Sequence, residues 1–132
     1  MSSSPSELVD CALSLLGDAR SEPQYRTVCS RAYYGAFHAA NLFHNALPAP
    51  GTVGAARGRH EQLIAQLANP TCSKRNHKYF VSQALSKVLR TLIDARVRAD
   101  YLIDTEVDFG MAAKSSESAR AVMLKTSEFA VN

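Results

Sequence analysis

A helical repeat of apolar residues between Glu22 and Asn45 restricts the fold of this chain more than any other feature. At about 100° per residue, the apolar side chains of this segment, together with one just after it, fall on one side of a helix. They are Tyr25, Cys29, Ala32, Ala36, Ala40, Phe43 and Leu47. An apolar stripe of this length needs other elements to cover it, so the segment predicts a long helix within a multi-helix core.

Helix-forming segments also fill most of the remaining sequence, between clear breaks. Ser4, Pro5 and Glu7 form a helix start, and Gly17 is a typical helix end. We expect helices at about 5–16, 22–45, 60–67, 75–103 and 106–129, with a flexible loop at about 47–58. The pattern predicts one all-α domain over residues 1–132, an antiparallel bundle of four to five helices.

Composition agrees with a single small domain. The chain has 132 residues, of which 46% are hydrophobic. Its start lacks the basic and apolar regions of a signal peptide, and no apolar run approaches the ~20 residues of a membrane span. We therefore expect a cytoplasmic protein without a membrane partner. Cys11, Cys29 and Cys72 form no CxxC pair, and the first two lie on or beside apolar faces, which predicts buried free thiols.

Charge is distributed unevenly along the second half of the chain. Residues 74–98 contain seven basic side chains and the single acid Asp94, whereas residues 100–117 contain five acids and the single base Lys114. This asymmetry favours a face that binds phosphate or another copy of the chain. Two solvated faces explain it equally well.

Arg31 and His38 are the first candidates for chemistry. They are seven residues apart, so they project from the same side of the helix, roughly opposite the apolar stripe, with Tyr34 between them. In metal-free RNA cleavage a His takes the proton of the 2′-hydroxyl while an Arg stabilises the charge on the phosphate. Tyr34 would orient that phosphate or donate a proton. The alternative is that Arg31 and His38 hydrogen-bond to a neighbouring helix or to a dimer mate.

Further candidates for binding RNA phosphate lie in the second half of the chain. They are Arg59, His60, Lys78, Arg90, Arg96, Arg98 and Tyr101. Arg59 and His60 begin a predicted helix, whose N-terminus favours an anion, and Lys78 precedes an aromatic residue that offers a stacking face. The alternative for the late group is an ion pair of an arginine with Asp100. The histidines show no HxH or HxxxH spacing, so we expect neither a metal nor another cofactor.

Three segments together resemble a known family. They are SRAYYGAFHAA at residues 30–40, RHEQLIAQL at 59–67 and ARVRADY at 95–101. In this order they resemble the small stand-alone branch of the HEPN-domain superfamily, over most of residues 6–125. The resemblance implies an all-α bundle that is usually dimeric and is often encoded beside a minimal nucleotidyltransferase in toxin–antitoxin or defence systems.

Several HEPN branches are metal-independent RNases whose signature is an Arg followed within two helical turns by a His. The late helix of this chain offers Arg96, Arg98, Asp100 and Tyr101 without such a His, which departs from that signature. The resemblance therefore leads to two hypotheses. The first is an RNA-cleaving toxin–antitoxin or defence protein; the second is a non-catalytic subunit that binds RNA, a nucleotide or a nucleotidyltransferase partner.

We also expect a homodimer. Apolar Tyr34, Leu42 and Leu47 interrupt the polar face of the long helix, and a two-fold interface would bury them.

Overall fold

The computed structural model describes residues 3–129, and within them it contains five helices and no strand. The helices are α1 (Pro5–Asp18), α2 (Glu22–Asn45), α3 (Arg59–Ala68), α4 (His77–Tyr101) and α5 (Phe109–Ser127). The prediction of an all-α bundle is confirmed.

Capping side chains explain where three of the helices, α1, α4 and α5, begin. The Ser4 hydroxyl accepts the Glu7 N–H, and Glu7 accepts the Ser4 N–H in return, which completes the predicted start of α1. Asn76 caps α4 and Asp108 caps α5, so both helices begin later than predicted. Helix α1 continues through Gly17, contrary to the prediction that this glycine ends it.

Helix α2 is the centre of the bundle and contacts each of the other four helices. Its buried surface is consequently wider than the predicted stripe, because α1, α4 and α5 cover it from several sides. Residues outside the stripe that become buried include Val28, Tyr33, Phe37, Ala39 and His44. Gly35 permits the closest approach of α1, since a Cβ atom there would lie 2.7 Å from Cγ2 of Val9. A narrow polar strip on α2 remains open to solvent.

Helices α3 and α4 run in opposite directions, joined by buried serine hydroxyls. Ser82 donates to the Leu67 carbonyl (2.7 Å) and Ser86 donates to the Ile64 carbonyl (2.9 Å). The later residue on α4, Ser86, pairs with the earlier residue on α3, Ile64, as antiparallel helices require. This pairing places His60, at the start of α3, near the C-terminal half of α4.

Arg26 on α2 holds the C-terminal end of α4. Its Nη atoms donate to the carbonyls of Arg98 and Ala99 (3.0 Å each) and to those of Leu102, Ile103 and Thr105 beyond them. Its Nε donates to Glu22, which also accepts the Val107 N–H at 2.9 Å. These two hydrogen bonds, from Arg26 first and from Val107 second, hold the pKa of Glu22 below its usual range.

The predicted flexible loop is anchored at its middle. The Gly51 N–H donates to Nε2 of the buried His44 (3.1 Å), and the Thr52 N–H donates to the Asn69 carbonyl (3.1 Å). A Cβ atom on Gly51 would collide with the Gln66 carbonyl oxygen. The loop therefore packs against the end of α3.

The cysteines are free thiols, and one differs from prediction. Cys29 is buried, and burial raises the pKa of its thiol. The prediction of a buried Cys11 is wrong, because α1 packs through Val9 and Ala12 and turns Cys11 to solvent. Among residues 3–129, no helix has both the length and the apolar character that a membrane span requires.

Candidate functional site

Four predicted site residues meet in one open cleft between α2, the start of α3 and the late part of α4. They are Arg31, Tyr34, His60 and Arg96, and Ser30 and Tyr33 complete the lining. The volume of the cleft is about 200 Å³. Two guanidinium groups, one imidazole and two phenols at one small opening are groups that can attract and hydrogen-bond an anion.

The two arginines of the cleft are held differently. Arg31 is exposed and forms no ion pair within the described part of the chain. Nε of Arg96 lies 2.9 Å from Oδ2 of Asp100, and Ser30 donates to the same oxygen at 3.2 Å. The Arg–Asp ion pair predicted as the alternative is thus present. It orients the Arg96 guanidinium beside the cleft, and Arg96 still lines the cleft. The Arg96 guanidinium also lies 5.9 Å from the ring centre of Tyr33.

His60 is fixed by Tyr33 and Phe37. Its Nδ1 lies 2.6 Å from the Tyr33 hydroxyl oxygen, and its ring centre lies 4.5 Å from that of Phe37. Burial lowers the pKa of His60, and the nearby charges of Arg96, Arg59 and His38 lower it further. Burial raises the pKa of Tyr33, so this phenol stays protonated at neutral pH. His60 is therefore a neutral imidazole at pH 7.

The Tyr33–His60 contact allows two tautomers of this imidazole. If Nδ1–H donates to the Tyr33 oxygen, Nε2 is free to accept a proton. If the Tyr33 hydroxyl donates to Nδ1, Nε2 carries a hydrogen and acts as a donor. A neutral imidazole of this kind suits either a general base or a hydrogen-bond donor to phosphate.

His38, the imidazole chosen from the sequence as the catalytic base, does not line the cleft. Seven residues along a helix separate Arg31 from His38 by about 10 Å, although both point to the same side. The Tyr34 ring occupies the space between them, with its centre 4.5 Å from that of His38 at an interplanar angle of 82°. His38 lines a neighbouring groove of about 420 Å³ on the other side of Tyr34. The imidazole of the cleft is His60.

The remaining predicted residues divide between the edge of the cleft and other surfaces. Arg59 lies over the Phe37 ring at 5.3 Å, and Tyr101 lies 5.2 Å from the Arg96 guanidinium, so both are near the cleft. Arg90 is paired with Glu61 at 2.9 Å. Arg98 contacts Met111 in a separate groove between α4 and α5, and Lys78 lies 5.6 Å from the Phe129 ring centre. The structure therefore separates Arg98 and Lys78 from Arg31.

Sequence reasoning predicted the ion pair of an arginine with Asp100 but missed Ser30 and Tyr33 as members of this site. The adjacent position of Tyr33 and Tyr34 in the SRAYY segment is the one signal that could have found Tyr33. Adjacent helix residues diverge by about 100°, so one phenol can enter the protein while the other faces the opening. In the structure Tyr33 is buried and Tyr34 is 47% exposed.

Residues 3–129 bring together no group of three His, Cys, Asp or Glu side chains that could hold a metal ion. Comparisons with protein-family models, with curated proteins and with solved structures found no match to this chain. The likeness to HEPN proteins therefore rests on the three sequence segments.

Proposed function

We propose that this chain is a HEPN-type toxin–antitoxin or defence protein that binds RNA at the cleft and cleaves it without a metal ion. The observation that carries the proposal is the convergence of Arg31, Arg96 and His60 on one small opening. These are the groups that a metal-free transfer of a phosphodiester requires: a pair of cations for the phosphate and a neutral imidazole for the proton.

In the proposed reaction Arg31 and Arg96 hold the non-bridging oxygens of the phosphate. His60 accepts the proton of the 2′-hydroxyl as that oxygen attacks the phosphorus. The bond from phosphorus to the 5′-oxygen breaks, and this oxygen leaves with a proton from solvent. The products are a 2′,3′-cyclic phosphate and a free 5′-hydroxyl.

The test is incubation of the purified protein with single-stranded RNA in EDTA, with analysis of the new ends. We expect cleavage that leaves cyclic phosphates, and its loss in Arg31→Ala and in His60→Phe, which keeps a ring against Phe37. Arg120→Ala is the matched control, because Arg120 is exposed on α5, which contributes nothing to the cleft. Circular dichroism checks that each variant is folded.

One observation favours the second candidate function, a non-catalytic subunit that binds RNA or a nucleotide beside a nucleotidyltransferase partner. His60 and Arg96 already have protein partners, Tyr33 and Asp100, that could hold them for a purely structural purpose. RNA binding that depends on Arg31 without any cleavage by the wild-type protein would support this candidate. Absence of both activities would contradict the RNA proposal altogether.

For the expected homodimer, the structure offers a better surface than the face of α2. Leu47 packs against the core, so it is not available there. A larger set of exposed apolar side chains lies at the end of α4 and directly after it: Val97, Tyr101, Leu102 and Ile103. We propose that this set, with Ile103 85% exposed, forms the dimer interface.

A further inference from the structure

The groove beside the cleft shares Tyr34 with it. Tyr34 lines the cleft on its Arg31 side and lines the neighbouring groove on its His38 side. Arg31, Tyr34 and His38 follow one another along α2 at intervals of about one helical turn, roughly 5 Å each. A ligand that enters the cleft can therefore extend past Tyr34 into the groove without leaving the protein surface.

The groove differs from the cleft in chemistry. Pro5, Leu8 and Leu42 give it apolar walls, while His38 and Asn41 supply polar groups. An aromatic face with apolar walls binds a flat, uncharged ring, and a carboxamide can both donate to and accept from the edge of a nucleobase. The cleft, with its two arginines, instead suits a negatively charged group.

We propose that the groove is a base subsite and that the complete site takes a nucleotide of single-stranded RNA. The phosphate lies in the cleft at Arg31 and Arg96, and the base attached to it stacks on Tyr34 with its edge toward Asn41. This inference rests on the proposed function, because it assigns the phosphate of the same RNA to the cleft. Duplex RNA is excluded, since its bases are stacked on one another and cannot reach a side chain in this manner.

The occupant follows from the adjacency of the two cavities, which share Tyr34. Tyr34 is 47% exposed, and its phenol ring packs edge-to-face with the His38 ring between the two cavities. A ring held in this way costs little further conformational entropy when a base stacks on it. The volume of the groove, about 420 Å³, is in the range of small-ligand sites.

The experiment compares adenosine 3′-monophosphate, adenosine and inorganic phosphate as ligands, followed by NMR signals of the Arg31 guanidinium and the His38 ring. We expect the nucleotide to shift both signals and inorganic phosphate to shift only that of Arg31. Tyr34→Leu should weaken nucleotide binding about tenfold, the loss typical of one stacked base, and should weaken the binding of inorganic phosphate much less. Phe80→Leu is the control, because Phe80 is an exposed aromatic residue that lines neither cavity.

Oligoadenylate provides the second measurement, alone or annealed to oligouridylate. We expect wild type to bind the single strand more tightly than the duplex. Loss of this preference in Tyr34→Leu supports the subsite. If Tyr34→Leu binds the single strand as tightly as wild type while Arg31→Ala loses affinity, the base subsite is refuted and the phosphate site stands. If Arg31→Ala also has no effect, the proposed function fails together with the subsite.

Discussion

Replacement of Arg26 by Met should destabilise the protein more than any other exchange of a single arginine. Among residues 3–129, Arg26 is the one side chain of α2 that binds the carbonyl groups at the end of α4, and only 15% of its side chain is exposed. Methionine preserves most of the apolar volume but donates no hydrogen bond. The substitution therefore isolates the contribution of the guanidinium.

The size of the effect follows from which carbonyls water can reach. Those of Arg98, Leu102, Ile103 and Thr105 belong to exposed residues, so water replaces the arginine there at small cost. The Ala99 carbonyl belongs to a buried residue, and loss of a charge-assisted hydrogen bond there costs about 2 kcal/mol. Loss of a cation at the C-terminus of a helix adds ~1 kcal/mol. We expect the free energy of unfolding to fall by about 3 kcal/mol.

Thermal unfolding followed by circular dichroism measures this change. For a domain of this size, about 3 kcal/mol corresponds to a decrease in Tm of about 10 °C. Arg26→Lys should lie between wild type and Arg26→Met, because an ammonium cannot span several carbonyls. Arg120→Met is the matched control on an exposed helix face. An equal loss of stability in Arg26→Met and Arg120→Met would refute the assignment of Arg26 as the cap of α4.

Three further substitutions test other parts of the structure. Gly35→Ala gains ~1 kcal/mol of helix propensity, but its Cβ atom would lie 2.7 Å from Cγ2 of Val9 on α1, which costs about 1–3 kcal/mol. Urea denaturation should show a net loss of stability of about 1 kcal/mol. A gain in stability would contradict the close approach of the two helices. Burial lowers the pKa of His44 in the folded protein, so wild type should lose stability as the pH falls from about 6.5 through that lowered value. His44→Gln lacks this titration, and its stability deficit in urea should shrink in acid; a deficit independent of pH would show that His44 does not titrate in this way. Ile103→Asp should convert the expected dimer to a monomer in light scattering, whereas a wild-type mass of one chain at every concentration would show that the dimer prediction is wrong.

The sequence predicted the helices well because their ends depend on local chemistry. Helix α2 begins at Glu22 and ends at Asn45, as expected from the breaks that flank it. The starts of α4 and α5 differ from prediction by about two or three residues, since Asn76 and Asp108 compete successfully as caps with the residues before them. Local propensity cannot decide between two acceptable caps a few residues apart.

Burial was harder to predict, because it depends on neighbours that are distant in the sequence. In α4 the buried side chains include Leu85, Leu89, Leu92 and Ile93, which form a face wider than one residue per turn. A bundle helix covered on two sides needs a wider apolar face than a heptad seam. The same reason explains why Tyr33 and Phe37 were missing from the predicted core of α2.

The candidate site, too, could be predicted from the sequence only in part. Helix geometry alone placed Arg31 and Tyr34 on one open face, and the structure agrees. Helix geometry could not show that His60 would approach this face in place of His38, because that approach depends on the packing of α3 against α4. Spacing within one helix specifies which side chains point in the same direction. It does not specify which of them share a cavity.

Contacts along α2 connect the stability of the bundle to the geometry of the cleft. Arg26 fixes the end of α4; one turn later, Ser30 holds the Asp100 carboxylate, which in turn holds Arg96. Arg31, the next residue along α2, lines the cleft and forms no ion pair within the described residues. The position of Arg96 relative to Arg31 is therefore set by how the last turn of α4 docks on α2. The proposed phosphate site between these two arginines depends on that docking, which the hydrogen bonds of Arg26 to the α4 carbonyls stabilise.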